Sequence, residues 1–225
     1  MTWSKHADRA ARRGYHHGNL REALIDATLA LIAEKGPAGF TLAEAARLAG
    51  VSPAAPYRHF RDAEALLAEI ALRGFDRLAD SLAAAWNDGR PNPSVAFEAL
   101  GRAYLGFARA EPAYYAAMFE TGIDRNAYPA LDAAAERAFG VLRLAAEQLT
   151  AQLPKPNRPP SLMVALHVWA LSHGIAALFC RPDRTRKALP MLPEELLEAG
   201  VLLYLQGLGL AGGPLRDDDR TRGSS

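Results

Sequence analysis

Apolar positions along most of the chain recur every three or four residues, which is the spacing of one face of an α-helix. Between Asn19 and Glu34, for example, Leu24, Ala27 and Leu31 fall on one face, and neighbouring isoleucines and leucines widen it. No stretch combines strict alternation with the β-branched residues typical of strands, because Val, Ile and Thr are sparse against Ala and Leu. The pattern therefore predicts an all-α fold.

Glycines, prolines and capping residues divide this pattern into about nine predicted helices. Three short ones fall before residue 61, and a long helix from Asp62 to about Trp86 follows. The composition predicts four parts. They are a flexible basic arm over 1–18, a small helical head over 19–67, a larger helical domain over 68–210 and a disordered tail over 211–225.

The segment from residue 41 to residue 60 has the pattern of two short helices joined by a tight turn. Thr41 and Glu44 have the spacing of a capping box, and Gly50 allows the chain to turn. Ser52 and Pro53 suit the start of a second helix. Such a pair forms a helix-turn-helix, whose second helix lies in the DNA major groove. Many helical hairpins carry a glycine turn, so this pattern favours DNA binding without establishing it.

Between Leu20 and Leu67 the chain carries Gly36, Thr41, Ala45, Ala46, Gly50, Val51, Ser52, Tyr57, His59, Phe60 and Leu66. In this arrangement these residues resemble the TetR family of bacterial transcriptional regulators. The resemblance implies a compact three-helix head that binds DNA. Two positions depart from the family pattern: Ala63 stands where a lysine is usual, and Pro56 removes an amide from the recognition helix and shortens it.

The candidate DNA-binding residues of the head lie mainly in the second helix. The resemblance implies that Tyr57, His59 and the hydroxyl of Thr41 contact phosphates. Arg58 can make a bidentate contact with guanine, whereas the alanines of the helix offer only methyl groups. Phe60 is more typical of a core residue than of a DNA contact. The predicted set is Thr41, Ser52, Pro53, Ala54, Ala55, Tyr57, Arg58 and His59.

Positive charge is concentrated at this end of the chain. Residues 1–61 hold nine Lys or Arg against five Asp or Glu, a net charge of +4, whereas the remainder holds 17 against 20, a net of −3. Basic residues favour binding to DNA through counterion release. Arg12 and Arg13 of the arm are further candidates, because a basic arm can reach the minor groove. A solubilising tail explains the arm equally well.

The segment from Ser161 to Cys180 carries no charge over twenty residues, which is long enough to cross a membrane. It contains two histidines and lacks aromatic anchors at both ends. These features favour a helix packed between a soluble core and a partner. The single cysteine and the lack of an apolar run after the basic start indicate a cytoplasmic protein.

Trp169, His173 and Gly174 in this segment resemble the Trp-His-Gly signature of one TetR C-terminal class. The resemblance implies a pocket for a small-molecule inducer. It also implies a homodimer formed through the helices at 161–180 and 194–208. Core packing is the alternative for each candidate ligand-binding residue. These candidates are Tyr104, Phe107, Tyr115, Met118, Phe119, Trp169 and His173.

The sequence contains no phosphate-binding P-loop, HExxH motif, paired-cysteine zinc spacing or GxSxG elbow. It therefore predicts a protein that is not an enzyme and needs no cofactor or metal. We expect a ligand-responsive repressor that binds a near-palindromic double-stranded DNA operator as a dimer and is released by an inducer. The helix from Asp62 to Trp86 is the natural lever between head and pocket. The alternative is an architectural, nucleoid-type DNA-binding protein without an inducer.

Overall fold

The computed structural model describes residues 20–179 and 190–210. The predicted arm with Arg12 and Arg13, the predicted tail and Cys180 lie outside these residues. The described part is all helical and holds no strand, which confirms the predicted class. Its α-helices are α1 (Leu20–Lys35), α2 (Leu42–Leu48), α3 (Ala63–Trp86), α4 (Pro93–Ala110), α5 (Pro112–Phe119), α6 (Pro129–Thr150), α7 (Ser161–Phe179) and α8 (Pro193–Gly207).

The predicted second helix of the helix-turn-helix is not an α-helix. The chain forms a single 3-10 turn at Pro56–Arg58, here called the recognition turn. Pro56 has no amide proton with which to bond the carbonyl of Ser52, and that carbonyl accepts the amide of Ala55 instead, at 3.0 Å. The amide of His59 donates to the carbonyl of Pro56 at 2.9 Å. Bonds of this span belong to 3-10 structure, so the described residues hold eight α-helices and Ser52 caps none of them.

The described residues divide into two compact units. Unit 1 comprises residues 20–76 and 111–135, and unit 2 comprises residues 77–110, 136–179 and 190–210. In unit 1, α1 packs against α2 and α5. In unit 2, α4, α7 and α8 pack against one another. Helix α3 contributes residues to both units. The predicted domain boundary after residue 67 stays a prediction.

A network of ion pairs joins α1 to α3 inside unit 1. Arg73 of α3 donates to both carboxylate oxygens of Glu22 on α1, at 2.5 and 2.6 Å, and to Glu69 at 2.9 Å. Arg21 of α1 donates to the same Glu69 at 2.9 Å. The hydrogen bond from Arg73 holds the pKa of Glu22 below its usual value. The Glu22 carboxylate is therefore ionised at neutral pH, and these ion pairs fix α1 against α3.

Arg73→Met is expected to lower the free energy of unfolding by about 1 kcal/mol at neutral pH, since Glu22 is 38% exposed and solvent screens its charge. The pKa of Glu22 is lower in the folded chain. Its stabilisation is therefore present above the unfolded carboxyl pKa, about 4.3, and is lost as pH falls through the folded value. Urea unfolding should show a smaller difference between variant and wild type at pH 3 than at pH 7. An undiminished difference would mean that lost packing is the cause.

Helix α7 is, in the described part of the chain, the one helix long and apolar enough to cross a bilayer, with a mean hydropathy of 1.8. About a third of that stretch, 33%, is buried inside the chain. On one side His173 bonds Tyr104 of α4 at 2.9 Å, and on another His167 bonds Tyr204 of α8 at 3.0 Å. Helix α7 is therefore a packed element of unit 2 with an apolar face directed away from its neighbours.

Candidate functional site

The start of α2 is held by a complete capping box. The Glu44 amide donates to Thr41 Oγ1 at 3.2 Å, and the Thr41 amide donates to Glu44 Oε2 at 2.9 Å. Lys35 donates to the other oxygen of the same carboxylate at 3.0 Å. The bonds from Lys35 and Thr41 lower the pKa of Glu44. Helix α2 therefore begins at a fixed point, where the exposed side chain of Thr41 faces solvent.

A left-handed glycine makes the turn after α2. Gly50 has φ of +74°, a conformation that side chains with a Cβ rarely adopt, as the sequence predicts for this position. The next amide, of Val51, donates to the carbonyl of Ala46 at 2.9 Å. This bond closes the end of α2 and directs the chain into the recognition turn.

The recognition turn separates inward and outward side chains. Pro56 and Phe60 are buried, the latter with 4% exposure, so the prediction that Phe60 is a core residue is confirmed. Tyr57 is 62% exposed, and its neighbours Arg58 and His59 are exposed as well. Ser52, Pro53 and Ala54 are also exposed, and Ala55 is half-buried. The candidate DNA-binding residues of the head are thus accessible apart from the half-buried Ala55, and the buried side chains of Pro56 and Phe60 anchor the recognition turn.

Arg61, which the sequence did not single out, is a fixed cation next to this surface. Its guanidinium donates to the Tyr128 hydroxyl at 2.8 Å and to Asp62 at 3.0 Å, and lies 5.4 Å from the centre of the Tyr128 ring. The Tyr128 hydroxyl in turn donates to Glu64 at 3.0 Å. Burial and Glu64 raise the pKa of Tyr128, so the hydroxyl stays protonated. The Arg61 side chain remains 67% exposed and is available to an anion.

Unit 2 contains a cavity formed by α4, α6, α7 and the last part of α3. It has about 410 Å³ of space free of protein atoms, part of which is open to solvent. Its wall contains the rings of Tyr104, Phe139 and Trp169, and otherwise aliphatic or small side chains such as Leu142 and Ser172. None of the described side chains that line it is charged. Such a cavity suits an apolar small molecule.

Two candidate ligand-binding residues line this cavity and a third adjoins it. Tyr104 and Trp169 are part of the wall. The Tyr104 hydroxyl lies 2.9 Å from Nδ1 of His173, within hydrogen-bond distance. The rings of Trp169 and Phe139 are 4.7 Å apart at 43°, so they pack as one wall. A hydrogen-bonding pair therefore stands at the edge of a largely apolar space.

The other four candidates lie elsewhere: Phe107, Tyr115, Met118 and Phe119. Phe107 is buried on α4 outside the cavity wall. The remaining three belong to α5 in unit 1, where the ring of Phe119 lies 5.4 Å from that of Phe75 on α3. A Cβ at Gly74 would lie 2.6 Å from the sulfur of Met118, so this glycine makes room for α5. The structure places these α5 side chains in helix packing, not around the cavity.

Helices α7 and α8 pack against each other and each carries exposed leucines, which together are here called the α7–α8 face. On α7, Leu162, Leu166 and Leu178 are 50%, 50% and 56% exposed. On α8, Leu202 and Leu203 are 44% and 70% exposed. Several exposed leucines on two neighbouring helices are typical of a surface that a partner covers. These are the two helices that the sequence predicts at a dimer interface.

Side chains that bind metals do not form a cluster in the part of the chain that the structure describes. Over 20–179 and 190–210, no group of three or more His, Cys, Asp or Glu side chains is placed to hold a metal ion.

Two family models match the chain. The model described as bacterial regulatory proteins, tetR family, matches residues 24–70. The model described as Tetracyclin repressor-like, C-terminal domain, matches residues 97–202. The first match includes the capping box and the recognition turn. The second includes most of the cavity wall and every residue of the α7–α8 face except Leu203.

Relatives and solved structures agree with these matches. The uncharacterized HTH-type transcriptional regulator YobS of Bacillus subtilis (strain 168) is 32% identical over 100 residues, which are 44% of this chain and about half, 51%, of YobS. A protein of unknown function from Rhodococcus sp. RHA1 is 30% identical with a TM-score of 0.71, over 86% of this chain and 97% of that one.

Two further solved structures share the fold. The TetR family transcriptional regulator PfmR from Thermus thermophilus has a TM-score of 0.64 at 22% identity, over 81% of this chain and 96% of its own. AibR, in complex with isovaleryl coenzyme A and operator DNA, has a TM-score of 0.64 at 20% identity, over the same shares of 81% and 96%. At these identities the likeness concerns the fold alone.

Proposed function

Because this chain belongs to the TetR family of bacterial transcriptional regulators, we propose that it is a ligand-responsive repressor. In this proposal a homodimer binds a near-palindromic DNA operator in the cytoplasm, and a small molecule in the cavity of unit 2 releases it. Half-sites would be about one helical turn, ~34–36 Å, apart or a multiple of that. The observation that carries the proposal is the exposure of Tyr57, Arg58 and His59 at the recognition turn, which the buried side chains of Pro56 and Phe60 anchor. The same chain also contains an apolar cavity.

The recognition turn supports DNA contact through a few side chains. A 3-10 turn of three residues offers less helix to the major groove than a full recognition helix does. Arg58 is therefore the main candidate for reading a base edge, whereas Tyr57 and His59 suit phosphate contacts. Much of the affinity would then come from phosphate contacts and from the presence of two heads in one dimer.

Tyr57→Ala and Arg58→Ala are expected to change DNA binding in different ways. Tyr57→Ala removes a phosphate contact and should weaken binding to specific and random duplexes alike. Arg58→Ala should relax the preference at one base pair of each half-site, a loss of about 1–3 kcal/mol in discrimination. Competition binding with a set of singly substituted operators measures this difference. Equal losses on operator and random DNA from both variants would refute the assignment.

Tyr128→Phe is expected to weaken operator binding about threefold, because Arg61 loses the hydroxyl that holds its guanidinium in place. Arg61→Met should weaken binding further and reduce the salt dependence by about one phosphate contact. Anisotropy titrations at several salt concentrations measure both quantities. If Arg61→Met lowers affinity but Tyr128→Phe does not, Tyr128 has no part in orienting the cation.

The α7–α8 face supports the homodimer. Exposed leucines on two neighbouring helices give a two-helix surface that a second copy can cover with the same two helices, as a two-fold interface requires. Across α7 and α8 the bond between His167 and Tyr204 fixes the two helices to each other, at 3.0 Å. A fixed pair of helices presents one rigid docking surface, which lowers the entropic cost of association.

The cavity supports regulation by a ligand, and α3 is the proposed lever. Leu78 and Leu82 of α3 line the cavity, and the same helix begins at Ala63, shortly after the recognition turn. A ligand would act by favouring a conformer in which the two heads no longer match the operator spacing. The ligand can shift the equilibrium between the two conformers only by the difference between its binding free energies for them.

Operator release tests this proposal. Compounds that raise the melting temperature of the full chain would be added to the protein bound to labelled operator DNA. Release at concentrations that saturate the protein supports a ligand-responsive repressor. Binding without any release would favour the architectural DNA-binding protein instead.

A further inference from the structure

We propose that the head reads only two base pairs of each operator half-site through the major groove: a guanine that Arg58 contacts and a thymine whose methyl group Ala54 contacts. This inference rests on the proposed function, because it names the class of operator that the recognition turn can bind. Each half-site would then carry little sequence information, and phosphate contacts would supply the remaining affinity.

The side chains available for reading bases in this part of the head are few. Bidentate contacts with base pairs are made by arginine or lysine to guanine and by asparagine or glutamine to adenine. Residues 41–62, which run from the capping box to the residue before α3, contain no lysine, asparagine or glutamine. Their three arginines are Arg47, Arg58 and Arg61. Guanine is therefore the one purine to which this segment can make a bidentate contact.

Two of these arginines are placed for other contacts. Arg61 is held by the Tyr128 hydroxyl at 2.8 Å and by Asp62 at 3.0 Å, in the arrangement that we assign above to a phosphate contact. Arg47 lies in the last turn of α2, and the first helix of a helix-turn-helix crosses the DNA backbone. Arg58, which is exposed on the recognition turn, is therefore the arginine assigned to the major groove.

The two acidic side chains of the same segment, which could accept from cytosine, are engaged within the chain. Glu44 accepts the amide of Thr41 at 2.9 Å and the ammonium group of Lys35 at 3.0 Å. Asp62 accepts the amide of Ala65 at 2.7 Å, at the start of α3. Reading a base with either carboxylate would break these bonds, so the segment is not suited to cytosine.

The geometry of the recognition turn separates its outward side chains. A 3-10 helix has three residues per turn, so successive side chains point about 120° apart. Because Pro56 is buried, Tyr57 and Arg58 point outward in two different directions. One of them can face the base edges while the other faces the sugar–phosphate backbone. A guanidinium group suits guanine and a phenol hydroxyl suits phosphate, which assigns Arg58 to the bases.

The short side chains before the turn let the backbone approach the bases. Ser52, Pro53 and Ala54 are exposed, and Ala55 is half-buried. The Ser52 hydroxyl suits a phosphate oxygen, whereas the methyl group of Ala54 suits the methyl group of thymine. In a helix-turn-helix the first residues of the second element meet the base edges. A thymine is therefore the second base that this head reads.

The experiment uses the full chain and duplexes with single changes in the major groove. Selection from a randomised duplex library at physiological salt supplies the operator. A 7-deazapurine then replaces each guanine and adenine in turn, which removes N7, and deoxyuridine replaces each thymine, which removes the methyl group. Each change is made in both half-sites, and fluorescence anisotropy gives the affinities. We expect a loss of at least about tenfold at one guanine and about fourfold at one thymine of the half-site, with little change elsewhere.

Variants of the protein identify the side chains responsible. Arg58→Ala should bind the 7-deazaguanine duplex and the unmodified operator equally, whereas Tyr57→Ala should bind both more weakly and keep the wild-type ratio between them. Ala54→Gly should no longer distinguish deoxyuridine from thymine, and Ala55→Gly, at the half-buried neighbour, should still do so. Each ratio compares two duplexes on one protein, so a loss of stability in a variant cannot imitate the result.

The outcomes separate this inference from the proposed function. Three or more responding base pairs in a half-site, none at all, or an N7 effect that depends on Tyr57 instead of Arg58 would overturn the inference and still leave a selective DNA-binding regulator. Base pairs selected for DNA shape or through the minor groove do not respond to these changes. A selection that enriches no sequence contradicts the proposed function itself.

Discussion

Leu203→Glu is expected to yield a monomer that binds the operator at least a hundredfold more weakly than wild type. Leu203 is 70% exposed on the α7–α8 face, and a charge there would have to be buried between two copies without a partner. A single head then loses the avidity of two linked heads, which is on the order of 10²–10⁴ in affinity. Sedimentation velocity gives the mass, and anisotropy on operator DNA gives the affinity.

Leu144→Glu is the matched control for this prediction. Leu144 is also an exposed leucine, at 47%, but it belongs to α6 and not to the α7–α8 face. We expect this variant to remain a dimer with nearly wild-type operator affinity. A Leu203→Glu protein that stays dimeric would show that the interface lies on another surface.

Phe60→Ala is expected to lower the free energy of unfolding by about 3–5 kcal/mol and to abolish operator binding. Phe60 is only 4% exposed behind the recognition turn, and the guanidinium of Arg21 lies 5.5 Å from the centre of its ring. Its removal leaves a cavity under the residues that should meet DNA. Urea unfolding followed by circular dichroism measures the change in stability.

Tyr57→Ala provides the contrast, because Tyr57 is 62% exposed only three residues earlier in the chain. The free energy of unfolding of the Tyr57→Ala protein should stay within about 0.5 kcal/mol of the wild-type value, while its affinity for DNA falls. If both variants lose stability equally, the division between an inward anchor and an outward contact surface at the recognition turn is wrong.

Local sequence signals predicted the parts of the fold that depend on near neighbours. The first helix was predicted over Asn19 to Glu34 and is observed at Leu20–Lys35. The capping box of Thr41 and Glu44 is present with both of its hydrogen bonds. Helical periodicity and caps involve residues within four positions of each other, so one sequence is enough to predict them.

The recognition helix shows where two local signals conflict. Ser52 and Pro53 have the pattern of a helix start, but Pro56 stands where its missing amide would have bonded back into the first turn. The sequence indicated that this proline shortens the helix. The extent of the effect, a single 3-10 turn with Pro56 and Phe60 buried, is visible only in the folded chain.

Contacts between distant residues account for what the sequence could not predict. Arg61 and Tyr128 are 67 positions apart, and no spacing rule links them. Likewise, the aromatic residues of α5 have the composition of a pocket wall, yet they pack against α3, as the contact of Phe119 with Phe75 shows. Periodicity identifies the buried face of a helix but not the element that it faces.

The measurement that tests the central claim most directly is the binding of the purified protein to DNA from upstream of its own gene. Fluorescence anisotropy would compare this duplex with a scrambled one at low and at physiological salt. We predict selective binding with two chains per operator that persists at physiological salt. Weak binding that does not distinguish the two duplexes and disappears at physiological salt would contradict the account.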